Sequence, residues 1–247
     1  MSVEADVIRV FVGYDSRLPV LFNIAQHSII RHASQPVAIT PIKTTHLKGI
    51  FERERVALQS TEFSFSRFLT PYLCDFKGWA IFMDNDVIVR ADIAELWKLR
   101  DERYALQCVK HDHKPASTVK FLGEQQTSYP KKNWSSVMLM NCAKCDALTT
   151  EYVNTASGLE LHQFKWLASD ALIGDLPLQW NFLADYYKHD DSAKVVHYTE
   201  GGPYYAATRD VDFADDWFDN FRDAAGCVDS DFMTLAHEAQ LRAGKPK

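Results

Sequence analysis

The feature that most restricts the fold is a series of short apolar runs that alternate with helix-like segments through the first 200 residues. A run that is apolar at consecutive positions predicts a strand buried on both faces, and such strands belong to parallel sheets covered by helices. The strand-like runs are "VIRVFVGY", "PVAITPI", "WAIFMD", "YALQCVK", "SSVMLMN" and "AKVVHYT". Helices are predicted for residues 19–34, for "FSRFLTPYLCDF", for "IAELWKL" and for residues 143 to about 154. The chain is therefore predicted to be an α/β protein with a mostly parallel, mixed sheet flanked by helices.

The composition is that of a soluble globular protein. Its 247 residues, 47% hydrophobic and 24% charged, fit a single domain spanning 1–247 with a sizeable core. The formal net charge of −6 and the lack of a long basic run argue against nucleic acid as a partner. The N-terminus is acidic and its apolar run is short, so neither a signal peptide nor a membrane span is predicted. The five scattered cysteines indicate reduced thiols and a cytoplasmic location.

The tail differs from the rest of the chain. The stretch "DVDFADDWFDNFRDAAG" is acidic and carries aromatic residues at helical spacing. Residues 210–247 are therefore predicted to form a C-terminal helical extension that packs onto the domain. A peripheral membrane role is less favoured, because an acidic polar face is repelled by anionic lipid.

Two aspartates interrupt the apolar stretch "IFMDNDVIVR". In extended chain, residues i and i+2 point the same way, so Asp84 and Asp86 share one side and Asn85 faces the other. The pair follows a predicted strand, at the edge where open α/β sheets bind ligands. Two close carboxylates repel unless a cation lies between them, and Mg²⁺ or Mn²⁺ prefers such oxygen ligands. The alternative is that one aspartate caps a turn and the other is solvated.

A histidine at the end of another predicted strand offers a third ligand. His197 is followed by Gly201 and Gly202, and glycines allow backbone to approach a ligand closely. An imidazole added to two carboxylates favours Mn²⁺ over Mg²⁺. A packed, hydrogen-bonded histidine is the alternative interpretation.

Taken together, six stretches in this order resemble the glycosyltransferases of the GT-A fold, in particular the retaining, glycogenin- and galactosyltransferase-like group known as family 8. The resemblance covers most of residues 7 to 205. The stretches that carry it are "VFVGYDSR", "FSRFLTPYL", "FMDNDVIV", "WSSVMLMN", "DALIGDLPLQWN" and "VHYTEGG".

The resemblance implies a retaining hexosyltransferase that uses a UDP-sugar donor, such as UDP-glucose or UDP-galactose, with Mn²⁺ and a saccharide or other hydroxyl acceptor in polysaccharide biosynthesis. It implies that Asp84, Asp86 and His197 hold the metal and that Asp170 is the catalytic residue. The donor-binding residues that it implies are Gly13, Tyr14, Asp15, Arg67, Asp84, Asn85, Asp86, Ser135, Ser136, Asp170, His197, Gly201 and Gly202.

The chain departs from the family pattern in three places. Pro203 stands where the family often has a lysine that reaches the diphosphate, so Arg209 or Lys194 is a candidate for that cation. "WSS" replaces the family's FNAG motif, and Asp170 stands without the usual glutamine partner. Because no nucleophile is evident, same-face attack is favoured over a covalent intermediate.

Acceptor contacts are expected from loops at the same edge. His111, His113 and Trp180 are the candidates, although solvated loop histidines and a structural tryptophan are equally compatible with the sequence. Two rival functions stay open. A sugar-phosphate nucleotidyltransferase usually begins with a Gly-rich loop, whereas "GYDSRLP" has one glycine. The other rival is a non-catalytic relative that binds nucleotide sugars.

Overall fold

A computed structural model of the protein describes residues 7–55, 59–112 and 130–226. Nine strands and six α-helices are found in these ranges. The strands are β1 (Ile8–Gly13), β2 (Val37–Ile42), β3 (Trp79–Met83), β4 (Val87–Val89), β5 (Leu106–Cys108), β6 (Val137–Asn141), β7 (Ile173–Asp175), β8 (Phe182–Leu183) and β9 (Val195–His197). The helices are α1 (Pro19–His32), α2 (Thr70–Leu73), α3 (Ile93–Trp97), α4 (Thr150–Thr155), α5 (Gly158–His162) and α6 (Ala214–Ala224).

Six strands form the central sheet in the order β2-β1-β3-β6-β5-β7. Strand β6 runs antiparallel to β3 and β5, while the other pairs are parallel. A smaller sheet has the order β4-β9-β8, with α1 lying against β4 and α6. This is the mostly parallel, mixed α/β sheet flanked by helices that the sequence predicts.

The strands β1, β3, β5 and β6 of the central sheet are buried on both faces, as their apolar runs require, whereas the edge strand β2 is partly exposed. Side chains alternate between the faces along each strand. Ala80 and Phe82 belong to the core on one face, and Ile81 and Met83 belong to the core on the other. Each side of β3 is therefore shielded from water.

Two of the helix predictions were too long. The stretch "FSRFLTPYLCDF" forms a 3₁₀ turn at Ser66–Leu69 followed by the four-residue α2. Pro71 has no N–H and is tolerated only in a first helical turn, so a continuous helix cannot run through it. The helix predicted for 143 to about 154 begins only at α4, where the Thr149 hydroxyl accepts a hydrogen bond from the Tyr152 amide.

Helix α6 lies within the stretch that was predicted to be a C-terminal helical extension, and the extension as a whole stays a prediction. Within 210–226, α6 presents Trp217 to the core at 4% exposure. Residues 227–247 lie outside the described part of the chain. No helix in the described ranges is both long enough and apolar enough to cross a bilayer.

Candidate metal centre

The register of two strands brings the predicted ligands together. Asp84 follows the last residue of β3, and Asp86 immediately precedes β4. Antiparallel pairing places Val87, the first residue of β4, opposite His197, the last residue of β9. The backbone amide of Tyr198 also donates to the carbonyl of Asp86 at 2.9 Å. Sheet hydrogen bonding therefore fixes the imidazole beside the second aspartate.

The three side chains form a compact donor set. One ligand atom from each of Asp84, Asp86 and His197 lies within 4.8 Å of the others. The His197 Nε2 atom is 3.4 Å from Asp86 Oδ1, and the imidazole is 2% exposed. Within the described ranges, this is the one cluster of three acidic, histidine or cysteine side chains close enough to share an ion. Two carboxylates and an imidazole suit a divalent cation, so the residues present fit a metal ion.

Arg67 compensates part of the negative charge. Its guanidinium contacts Asp84 Oδ1 at 2.6 Å and donates to the Ser135 carbonyl at 3.0 Å. The guanidinium also lies 5.2 Å from the Phe63 ring and 5.1 Å from the Phe82 ring. The arginine is 5% exposed, so it is a fixed part of the site. The predicted donor-binding role of Arg67 stays a prediction.

The turn after β1 carries a second acidic group. Asp15 is 4% exposed and accepts hydrogen bonds from the Arg17 side chain at 2.7 and 2.9 Å. Burial would raise the pKa of Asp15, but the hydrogen bonds and charge of Arg17 outweigh burial and hold this pKa below its ordinary value. The sequence analysis did not identify Arg17, although an arginine two residues after an aspartate at the end of a strand indicates an ion pair between them. Tyr14 packs beside this turn against Phe22, with ring centroids 5.5 Å apart.

Packing within the chain explains why glycine occupies the three positions that were predicted to bind the donor. A Cβ atom on Gly13 would lie 2.3 Å from the Phe63 ring, and one on Gly202 would lie 2.3 Å from the Tyr204 ring. Gly201 has a φ of +120°, which side-chain-bearing residues rarely adopt. Internal sterics therefore require these glycines, and their donor-binding roles stay predictions.

Two tyrosines beside Gly202 are further candidates that the sequence reasoning passed over. Burial and the negative charges of Asp86 and Asp15 raise the pKa of Tyr205 to about 12, against a smaller opposing effect of Arg17. The pKa of Tyr204 is raised by burial and by Asp86. Tyr204 and Tyr205 are therefore both within the electrostatic influence of the Asp86 carboxylate.

The hydroxyls of Ser135 and Ser136 form hydrogen bonds with other residues of the protein. Ser135 Oγ is 2.8 Å from His162 Nδ1, and Ser136 Oγ donates to the Asn133 carbonyl at 2.6 Å. Asn85 is 3% exposed, and its amide nitrogen is buried without a hydrogen-bond partner in the described part of the chain. Sugar contacts by these residues stay predictions.

The described side-chain contact of Asp170 is with Lys131 and not with Asp84, Asp86 or His197. Asp170 lies in a 3₁₀ turn before β7, is 74% exposed and pairs with Lys131 at 2.5 Å. Its catalytic role stays a prediction.

The two candidate replacements for the family lysine are engaged elsewhere. Lys194 pairs with Glu95 at 2.5 Å, and it precedes β9, whereas His197 ends that strand. The Arg209 guanidinium packs over the Phe218 ring of α6 at 4.4 Å. Neither contact places a cation at the aspartates.

The acceptor candidates are buried where they are described. His111 is 5% exposed, and its Nδ1 atom is 2.9 Å from the Tyr187 hydroxyl, so it is not a solvated loop residue. Trp180 is 2% exposed within the core, which fits the structural alternative. His113 lies outside the described residues.

Comparison with known proteins gives one close sequence relative and several structural ones. No family model matches the chain. It is 47% identical to "Protein CDI" of Arabidopsis thaliana over 231 residues, which cover 90% of this chain and 89% of that protein.

The structural relatives share the fold at low sequence identity. The apo structure of the WbbM bifunctional glycosyltransferase matches with a TM-score of 0.62 and 17% identity, covering 89% of this chain. The chain spans 50% of that protein. The galactosyltransferase LgtC, in complex with donor and acceptor sugar analogues, matches with a TM-score of 0.55 and 13% identity, covering 92% of this chain and 99% of LgtC. The architecture is thus the GT-A glycosyltransferase fold, and by its sequence the chain belongs to the same family as Protein CDI of Arabidopsis thaliana.

Proposed function

We propose that the protein is a retaining glycosyltransferase of the family 8 type that transfers a hexose from a UDP-sugar to a saccharide or other hydroxyl acceptor with the help of Mn²⁺. The observation that carries the proposal is the cluster of Asp84, Asp86 and His197, whose ligand atoms lie within 4.8 Å at a strand edge of a GT-A fold. LgtC, which has this fold, was crystallised with donor and acceptor sugar analogues.

The described residues suit an anionic nucleotide-sugar donor. Asp84, Asp86 and His197 would hold the cation, which when bound supplies a Lewis acid for the diphosphate. Arg67 orients Asp84 and balances its negative charge through a contact of 2.6 Å. Asp15 and Tyr14, at the end of β1, would face the nucleoside.

Sugar transfer breaks the bond between the anomeric carbon and the diphosphate, and positive charge develops on the ring. In same-face attack the acceptor hydroxyl enters on the side that the diphosphate leaves, and the departing phosphate oxygen takes its proton. No covalent enzyme intermediate is then required. Asp170 would orient donor hydroxyls or stabilise the ring cation, after separation from Lys131.

The decisive experiment measures UDP release from a panel of UDP-sugars with and without Mn²⁺. Asp86→Asn is the sharper variant, because Asp84 also balances the buried Arg67. Since loss of an outer-shell partner alone costs about 10–100-fold in metal sites, loss of a ligand is expected to cost about 100-fold or more in Mn²⁺-dependent release. Asp219→Asn, on the exposed face of α6, is the matched control and should behave like the wild type.

Three results would count against the proposal. Release that is equal in EDTA and Mn²⁺ would remove the metal role. Tight UDP binding without turnover of any donor, even with acceptor saccharides present, would identify a non-catalytic relative. Formation of a UDP-sugar from a sugar phosphate and UTP as the main activity would identify a nucleotidyltransferase.

A further inference from the structure

A buried amide links the two halves of the metal centre. Asn181 ends the 3₁₀ turn before β8 and is 0% exposed. Its Nδ2 atom donates to Ser136 Oγ at 2.9 Å and to the Asn133 carbonyl at 3.1 Å. Its Oδ1 atom lies 3.1 Å from Nδ1 of His197.

The chemistry of these partners fixes the orientation of the amide. A backbone carbonyl can only accept hydrogen bonds, so the Asn181 NH₂ group must face Asn133. Ser136 Oγ donates to the same carbonyl at 2.6 Å and is therefore free to accept from the NH₂ group. The amide oxygen is left facing His197, and an oxygen there requires a proton on Nδ1 of the imidazole.

A proton on Nδ1 leaves the lone pair of the neutral imidazole on Nε2. That atom faces Asp86 Oδ1 at 3.4 Å, on the side of the three ligand atoms. Without Asn181, the Asp86 carboxylate would favour the opposite tautomer, in which Nε2–H donates to it. That tautomer cannot bind a cation through Nε2.

We propose that Asn181 is a positioning residue that holds His197 in its metal-binding tautomer before any ion arrives. The proposal rests on the metal role of the proposed function. The same amide contacts the turn that supports the first aspartate, because the Ser136 carbonyl accepts the Asp84 amide at 2.8 Å. Ligands from two distant parts of the chain are thus set by a side chain that touches no metal.

The test compares three proteins: the wild type, Asn181→Ala and Asn141→Ala. Asn141→Ala is the matched control, because Asn141 is also a buried asparagine but lies opposite Trp79, at the other end of β3 from Asp84, where its amide donates to Glu102 at 2.8 Å. Mn²⁺ affinity, measured by electron paramagnetic resonance without donor or acceptor, should fall about 10–100-fold in Asn181→Ala. It should change much less in Asn141→Ala.

A second readout separates positioning from a general structural effect. Imidazole nitrogen NMR of the metal-free protein, at a pH of about 8.5 where an ordinary histidine is neutral, reports the tautomer directly. The wild type and Asn141→Ala should carry the proton on Nδ1, and Asn181→Ala should shift it toward Nε2.

A wild-type spectrum with the proton on Nε2 would overturn the proposal, even if no variant folds. Wild-type Mn²⁺ affinity and an unchanged tautomer in folded Asn181→Ala would overturn it as well. Failure of the wild type to bind Mn²⁺ would instead contradict the proposed function, while the tautomer would still be measured. The two failures are therefore distinguishable.

Discussion

The carboxyl end of β1 has room for a hydrogen atom but not for a methyl group. Because a Cβ on Gly13 would meet Phe63 at 2.3 Å, Gly13→Ala should destabilise the protein by about 1–3 kcal/mol through overpacking. Urea unfolding monitored by circular dichroism measures the change. In a Phe63→Ala background the same substitution should cost clearly less, because the clash is absent. Equal costs in both backgrounds would show that the ring is not the obstacle.

The hydrogen bonds of His189 to two aspartates predict that its contribution to stability depends on pH. Hydrogen bonds to Asp212 at 2.7 Å and Asp191 at 3.1 Å raise the pKa of His189 above its ordinary value of 6.5. A group whose folded pKa is raised stabilises the fold fully below the unfolded pKa, and the contribution disappears as pH rises through the folded value. Thermal midpoints should therefore fall as pH increases above about 6.5.

His189→Asn should flatten that part of the pH profile. The measurement is a series of thermal melts in EDTA, so that metal binding does not contribute. An identical profile in the variant would assign the pH dependence to other groups.

Helix α6 is attached to the domain mainly through its aromatic face. Trp217 is 4% exposed, stacks on Phe221 at 5.6 Å and contacts the Tyr204 ring at 5.4 Å. Trp217→Ala should cost about 3–5 kcal/mol of unfolding free energy. Asp219→Ala, on the exposed side of the same helix, should stay within about 0.5 kcal/mol of the wild type.

The contact between Trp217 and Tyr204 gives the same variant a second expected effect. Tyr204 packs over Gly202 and is influenced by the charge of Asp86, so loss of the tryptophan should loosen the segment beside the candidate metal ligands. Mn²⁺ affinity should decrease in folded Trp217→Ala and stay unchanged in Asp219→Ala. Unchanged affinity in both variants would show that the helix does not support the site.

The elements that can be predicted from sequence are those whose signal is local. The apolar run before Asp84 predicts β3, and the i and i+2 spacing predicts that both aspartates point toward one ligand. Strands β4, β7 and β8 were not predicted, because two or three residues have no periodicity of their own. Strands β5 and β9 are as short, but they lie within the longer runs "YALQCVK" and "AKVVHYT". The packing of Gly13 on Phe63, the pairing of Arg67 with Asp84 and the amide bond of Asn181 to His197 join distant positions, so one sequence cannot show them.

The candidate metal centre lies between the central sheet and the small sheet, so binding of Mn²⁺ and UDP there should stabilise the whole protein. Any ligand that binds only the folded state adds RT ln(1 + [L]/Kd), which is about 2.7 kcal/mol at 100 times Kd. For a protein of this size that corresponds to a rise of roughly 5–11 °C in the thermal midpoint. Differential scanning fluorimetry with Mn²⁺ and UDP together should show it.

Asp86→Asn provides the control for this shift. It should melt near the wild-type temperature in EDTA and gain little from Mn²⁺ and UDP. A full shift in this variant would place the binding elsewhere on the molecule.

Because Val87 pairs with His197, the site should be sensitive to insertion or deletion of residues between Asp86 and β4. Side chains alternate faces along a strand, so a slip of one position would turn the imidazole away from the aspartates. One residue inserted between Asp86 and Val87 should therefore disable the centre although all three ligands are still present. Relatives with a deletion or insertion at that junction would need a compensating change in β9 to keep it.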